Sequence, residues 1–222
     1  MKYWIALFLL LPLLMLSQQK EIPLTKFETL KVFDRISIQL VASDENKLVL
    51  EGFNVNDVEV VQKNNEVKIR MRFGKILQGE DIVGVLFYQK ISEIEVNEGA
   101  SLSSNEVFKT SSLKISNKEG SDVLLTVETD QLSSRVGSGA TLTLKGTAKF
   151  HDVLVNTGAV LEANELKTLE TNITCNAGGE ATIFVQDKVN AKTRLGGTIM
   201  IDGNPETVTQ NTSMGGSIMI KK

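Results

Sequence analysis

The sequence predicts an all-β protein folded as a right-handed, single-stranded parallel β-helix (a β-solenoid) with coils of about 19 residues. Three observations favour this fold class. A glycine recurs every 18 to 21 residues through the C-terminal part of the chain. The residue after each glycine is small, and apolar residues then alternate with polar ones. Right-handedness is expected because parallel crossover connections have that hand.

The repeat is plainest at the C-terminus, where Leu195–Ile201 returns 19 residues later as Met214–Ile220. Apolar residues two positions apart indicate a strand with one buried face. The glycine and its small neighbour indicate a tight bend, where a Cβ would clash or φ is positive. Seven glycines align as bends: Gly99, Gly120, Gly139, Gly158, Gly178, Gly196 and Gly215. The third residue after each is apolar: Leu102, Val123, Leu142, Leu161, Ala181, Ile199 and Ile218.

Asparagines occupy one column just before three of these bends, at Asn97, Asn156 and Asn176. Asn tolerates left-handed backbone, and stacked Asn side chains can hydrogen-bond along a column. We therefore interpret the column as bend geometry and not as a ligand site.

The N-terminal residues 1–17 are predicted to be a signal peptide. Lys2 precedes an apolar run of 13 residues, Trp4–Leu16, which is too short to span a bilayer. Cleavage is expected after Ser17, and an uncleaved N-terminal anchor is the alternative. The only cysteine is Cys175, which excludes a lipoprotein anchor and an intrachain disulfide. We expect it to be an inward-facing core residue.

Residues 18–222 are predicted to form a single β-helix domain, with an irregular β start over 27–90 and regular coils over 91–222. Two domains are the alternative. Ile36–Val41 and Leu48–Leu50 flank a polar turn, which is typical of a hairpin. Val58–Val61 and Val67–Arg72 flank a second turn of this kind. The start of the chain is expected to shield the edge of the first coil.

Charge and motifs exclude several function classes. Removal of residues 1–17 takes one Lys and no acidic residue from a chain of net charge −3, which leaves −4. This balance argues against nucleic acid or anionic lipid as a partner. The lone His151 has no His or Cys at metal-ligand spacing, and Asp152 beside it in a strand would point to the opposite face. We predict a surface or loop histidine, no metal and no cofactor.

A carbohydrate-active enzyme, either a polysaccharide lyase or a hydrolase, is the alternative function. Its chemistry needs clustered carboxylates. Asp122 and Glu180 share an outward column but are separated by three coils, and Glu162 lies in the other outward column. This scatter is typical of a solvated face, so no catalytic residue is assigned.

Two features of the C-terminal coils concern partners. Met200 and Met219 are expected to stack on the outer face, where they are either covered by a loop or form a surface contact patch. The last coil ends in an edge strand that could serve homo-oligomerisation, although Lys221 and Lys222 would discourage edge pairing.

The chain also resembles a known family of secreted Bacteroidetes-type proteins, the "putative auto-transporter adhesin, head GIN domain" family. The resemblance covers roughly residues 27–222. It rests on Phe33–Leu40, Leu48–Gly52, Val67–Arg70 and the glycine-bearing coils that follow the signal peptide. It implies a right-handed β-helix of unknown biochemical function, with no established site residues.

The sequence therefore predicts an exported, non-catalytic protein of the bacterial periplasm, outer-membrane surface or extracellular medium. Its expected role is adhesin-type binding of an unidentified protein or glycan, or a structural role. A membrane contact is expected only through the cleaved signal peptide.

Overall fold

Residues 19–221, the part of the chain that the computed structural model describes, form seventeen β-strands. The predicted signal peptide lies outside the described residues. A 3-10 turn, Val55–Asp57, precedes β5, and the all-β class is confirmed. The strands are β1 Gln19–Pro23, β2 Thr29–Val32, β3 Ser37–Ala42, β4 Lys47–Glu51, β5 Val58–Lys63, β6 Glu66–Met71, β7 Val83–Tyr88, β8 Glu93–Val96, β9 Ser101–Lys109, β10 Ser112–Asn117, β11 Asp122–Val136, β12 Thr141–Val155, β13 Val160–Asn176, β14 Glu180–Arg194, β15 Thr198–Asp202, β16 Thr207–Thr212 and β17 Ser217–Ile220.

Successive coils stack as parallel strands in the register that the repeat predicts. Leu142 pairs with Val123 of the preceding coil and with Leu161 of the next one. Both leucines are fully buried, whereas Thr141 is partly exposed. The first half of β11 pairs with β9, and its second half pairs with β10. Each coil therefore has two faces: face A carries β9 and the first halves of the long strands, and face B carries β10 and the second halves.

The glycine bends form one hydrogen-bonded file along the solenoid. The amide of Gly139 donates to the carbonyl of Thr157, 3.1 Å away in the next coil, and the amide of Gly158 donates to that of Ala177 over 3.1 Å. The aligned glycines have positive φ, and so does the residue before each of them. Two consecutive left-handed residues reverse the chain tightly enough to join the two faces.

Both causes offered for the small residues at the bends hold, at different positions, and only the expectation about the asparagines is wrong in detail. At Gly197, the residue after a bend glycine, a Cβ would collide with the carbonyl of Cys175. A Cβ at Gly158 would meet no heavy atom within 4 Å, because the bend points away from the body. Glycine is favoured there by a φ of 65°, and crowding plays no part. The three column asparagines are not the left-handed residues, since the positive φ values lie one and two positions later. The predicted side-chain contact does form between Asn176 Nδ2 and Asn156 Oδ1, at 2.9 Å.

The irregular start predicted for residues 27–90 contains two further coils. Strands β2 and β3 form one coil, whose bend at Asp34 and Arg35 has the same pair of positive φ values. The amide of Arg35 donates to the carbonyl of Glu98, which places this bend in the glycine file. Strands β6 and β7 pair with the other side of this coil. The coil of β2 and β3 therefore lies between two neighbours. One is the coil of β8 and β9, and the other is formed by β6 and β7.

One of the two predicted hairpins is wrong. Strand β3 pairs in parallel with β7 and β9, while β4 pairs antiparallel with β7 and β1. After β3 the chain runs to the end of the solenoid, where β4 pairs with β7 and forms part of a cap. The second hairpin is confirmed: β5 and β6 are antiparallel and joined at Asn64 and Asn65, both with positive φ.

The two ends of the described solenoid differ. At the N-terminal end, the antiparallel strands β1, β4 and β5 cover the coil of β6 and β7. At the C-terminal end, β17 pairs with β15 on one side, and no described strand pairs with its other side. A single buried cluster runs from Phe27 to Ile201 and includes Cys175, as predicted.

Candidate functional site

The residues singled out from sequence do not assemble into one site. Met200 and Met219 are direct neighbours on face A of the last two coils. Met200 is half-buried and Met219 is 45% exposed. The carboxylates Asp122 and Glu180 are both exposed and are separated by three strand spacings, about 14 Å.

His151 lies in the interior, so the prediction of a surface or loop histidine is wrong. At the corner between the faces, Lys149 and Phe150 are exposed one after the other, which shifts the alternation and turns His151 inward. Its Nε2 lies 2.9 Å from the buried Ser134 Oγ. Burial lowers the pKa of His151 to about 3, so the ring is neutral near pH 7.

Asp152 faces outward, as predicted, and its carboxylate pairs with Arg135 at 2.7 Å. Ser134, His151 and Asp152 therefore do not form a nucleophilic triad, because the aspartate is on the opposite face from the ring. Ser134 is fully buried as well, so its hydroxyl contacts no substrate.

An exposed apolar loop between β6 and β7 was not anticipated. Phe73 is 95% exposed, and Ile76 and Leu77 are about half exposed. These three residues form what we call the apolar tip. Phe53, 84% exposed, lies on an adjoining loop, where a Cβ at Gly52 would collide with the carbonyl of Asp81.

Asp34 holds the apolar tip in place from the bend of the neighbouring coil. Its carboxylate is almost completely buried and accepts two backbone hydrogen bonds, from the amides of Met71 and Leu77, each at 2.9 Å. The carbonyl of Asp34 accepts a third from Gly79 at 3.1 Å. A short turn from Arg72 to Lys75 completes the loop, with a bond of 3.0 Å. The apolar side chains are therefore presented by an ordered support, which lowers the entropic cost of a contact.

The space beneath the tip is small and charged. A cavity of about 140 Å³ is lined by Phe33, Lys68 and Glu98 in addition to Asp34 and the loop. The Lys68 ammonium lies 4.4 Å from the centre of the Phe33 ring. Burial, and then the neighbouring Asp34 carboxylate, raise the pKa of Glu98.

Two ion pairs fix the cations that flank the tip. Arg72 pairs with Asp57 at 2.9 Å, and Arg70 pairs with Glu59 at 2.8 Å. Lys75, between Phe73 and Ile76, makes no ion pair with any carboxylate of residues 19–221. The sequence signal for this site is Val67–Gly79, which holds four cations and no acidic residue.

A larger open trough, of about 620 Å³, runs along the corner between faces A and B. Its walls carry the ion pairs Lys109–Glu128, at 2.9 Å, and Lys149–Asp130, at 2.8 Å. These four charges therefore pair with each other, while Lys167 in the same lining makes no ion pair with a carboxylate of residues 19–221.

Among residues 19–221, no group of three His, Cys, Asp or Glu side chains is placed to hold a metal ion. No helix within the described part of the chain is able to cross a membrane.

The family model described as "Putative auto-transporter adhesin, head GIN domain" matches residues 26–205. No curated protein matches the chain. Several solved structures share its fold.

A "putative adhesin" from Bacteroides fragilis NCTC 9343 superposes with a TM-score of 0.85 and 16% identity, over 92% of this chain and 96% of that one. A "putative lipid binding protein" from Parabacteroides distasonis ATCC 8503 has a TM-score of 0.70 and 14% identity, over 93% and 97%. A "putative adhesin" from Parabacteroides merdae ATCC 43184 has a TM-score of 0.68 and 18% identity, over 92% and 96%. At these identities the likeness shows a common fold.

Proposed function

Since this chain belongs to the "putative auto-transporter adhesin, head GIN domain" family, we propose that it is an exported, non-catalytic binding protein of the bacterial cell envelope. The observation that carries the proposal is the apolar tip, three apolar side chains held out to solvent by the buried carboxylate of Asp34. Full burial of one such side chain is worth about 1.5–3 kcal/mol. An ordered loop that leaves this free energy unused is typical of a contact surface.

Export is supported by the predicted signal peptide of residues 1–17 and by the adhesin names of the family and of two structural relatives. The partner expected from the sequence is a protein or a glycan of the envelope. The name of the Parabacteroides distasonis relative adds a lipid to these candidates.

A non-catalytic role is supported by the placement of the reactive side chains. Ser134 and His151 are buried together, and Asp122 and Glu180 are about 14 Å apart by strand spacing. Neither pair can bring two groups to one substrate bond.

The direct test is binding of the exported, processed protein to isolated cell envelopes. The unaltered protein is expected to bind saturably, and Phe73→Ser is expected to weaken binding at least tenfold, since one apolar anchor is lost. Phe150→Ser removes an exposed phenylalanine from the corner of the solenoid and is the matched control. Equal binding by both variants would contradict the assignment of the tip.

The enzymatic alternative has its own test. The processed protein is incubated with envelope glycans, and reducing ends and unsaturated products are measured. No turnover is expected. Turnover that disappears in Asp122→Ala or Glu180→Ala would replace the binding proposal with a carbohydrate-active enzyme.

A further inference from the structure

We propose that the apolar tip contacts an anionic lipid bilayer, with Phe73, Ile76 and Leu77 entering its surface and Lys75 meeting the headgroups. This inference rests on the proposed binding function and names the partner of the same site.

The chemistry of the tip suits a lipid surface. Ile76 and Leu77 carry no polar atom, and Phe73 projects beside Gly74, where an added Cβ would meet nothing within 4 Å. A glycan would be recognised by several hydrogen-bonding groups next to an aromatic face, and Lys75 is the only side chain between Phe73 and Leu77 that supplies one. Protein interfaces usually involve about 20–30 residues on each side, whereas three apolar side chains form this tip. A bilayer accepts isolated apolar side chains at its interface.

The tip itself carries one cation that is free to meet an anionic lipid. Lys75 lies between Phe73 and Ile76 and makes no ion pair with a carboxylate of residues 19–221, whereas Arg70 and Arg72 are already paired with Glu59 and Asp57. Aromatic and basic residues together are typical of segments that lie at membrane interfaces. The overall acidity of the chain predicted no anionic-lipid partner, and the proposal departs from that expectation because residues 73–77 carry Lys75 and no carboxylate.

The position of the tip points the same way. Gln19, the first described residue, pairs with Glu51, which is two residues from the exposed Phe53. The apolar segment Trp4–Leu16 therefore joins the fold at the end of the solenoid that carries the tip. In a chain that keeps residues 1–17 as an uncleaved anchor, the membrane that holds this segment would face the tip.

Fluorescence of a single tryptophan tests insertion directly. Trp4 is the only tryptophan in the sequence, so Phe73→Trp in a Trp4→Phe background places the one reporter at the tip. Phosphatidylglycerol-containing vesicles are expected to shift its emission to the blue, and brominated lipid is expected to quench it. Phe150→Trp in the same background is the matched control and is expected to stay unchanged. A Phe73→Trp spectrum that vesicles leave unaltered would overturn the proposal.

Vesicle co-sedimentation measures how much each side chain of the loop contributes to lipid binding. Phe73→Ser is expected to lower the partition coefficient by about ten- to hundredfold, and Lys75→Glu by about fivefold on anionic vesicles alone. The melting temperature of each variant verifies folding. If no vesicle binds the unaltered protein while isolated envelopes bind it through Phe73, the lipid inference fails and the binding function stands. If neither is bound, both fail.

Discussion

The buried His151 is expected to make the stability of the solenoid fall as the medium becomes acidic. Its pKa drops from the ordinary histidine value of 6.5 to about 3 in the folded chain, mainly through burial. Below pH 6.5 the unfolded chain therefore binds a proton that the folded chain does not. This stabilisation is fully present above pH 6.5 and is lost progressively as the pH falls toward 3.

The magnitude follows from the size of that window. Each pH unit between the two pKa values costs about 1.4 kcal/mol, so acidification from neutrality to about pH 5 should remove about 2 kcal/mol of unfolding free energy. His151→Gln abolishes this titration and retains a polar side chain beside Ser134. The variant should be less stable than the unaltered protein at pH 7, but its stability should fall less on acidification.

Urea unfolding at the two pH values, followed by circular dichroism, measures the difference. Thr171→Val is the matched control, because Thr171 is buried and pairs directly with His151 in the next coil. This control should change stability without changing its pH dependence relative to the unaltered protein. A His151→Gln variant with the same loss on acidification as the unaltered protein would refute the argument.

Three further outcomes are expected from stability measurements. Leu161→Ala should lower the free energy of unfolding by about 2–5 kcal/mol as a core truncation, whereas Thr141→Ala should change it by no more than about 0.5 kcal/mol. Equal melting temperatures of the two variants would contradict the assignment of Leu161 to the core and of Thr141 to the surface. Gly158→Val should lower the free energy of unfolding by about 1–3 kcal/mol because Gly158 has a φ of 65°, and Gly158→Asn should lower it clearly less. Equal melting temperatures of these two variants would exclude backbone strain as the cause. Asp34→Asn should leave one loop amide without an acceptor and cost about 1–3 kcal/mol, and trypsin should then cleave at Lys75 faster than in the unaltered protein.

The regular coils were predictable because one period repeats with little interruption. A glycine bend and two apolar positions fix both the turn and the inward face, so Leu142 and Leu161 could be placed side by side from the sequence. The first coil was hidden for two physical reasons. Arg35 occupies the position of the bend glycine, and the next coil in space lies 64 residues further along the chain, as the contact between Ser37 and Ser101 shows.

The environment of single side chains was less predictable. His151 faces inward because the corner adds one exposed residue, and periodicity alone does not locate such a shift. The apolar tip was missed because Phe73 and Leu77 continue an apolar strand pattern, and sequence does not tell a projecting loop from a buried strand. The run of four cations without an acid in Val67–Gly79 was the available signal.

The placement of the β2–β3 coil between two later segments has a consequence for folding. These strands are made early in an N-to-C synthesis, yet the strands that pair with both of their edges, β6 to β9, are made later. Closing a span of 64 residues instead of about 19 adds about 1 kcal/mol of loop entropy. Assembly should therefore begin among the adjacent C-terminal coils and finish at the amino-terminal cap, so a molecule interrupted late in maturation would lack its tip.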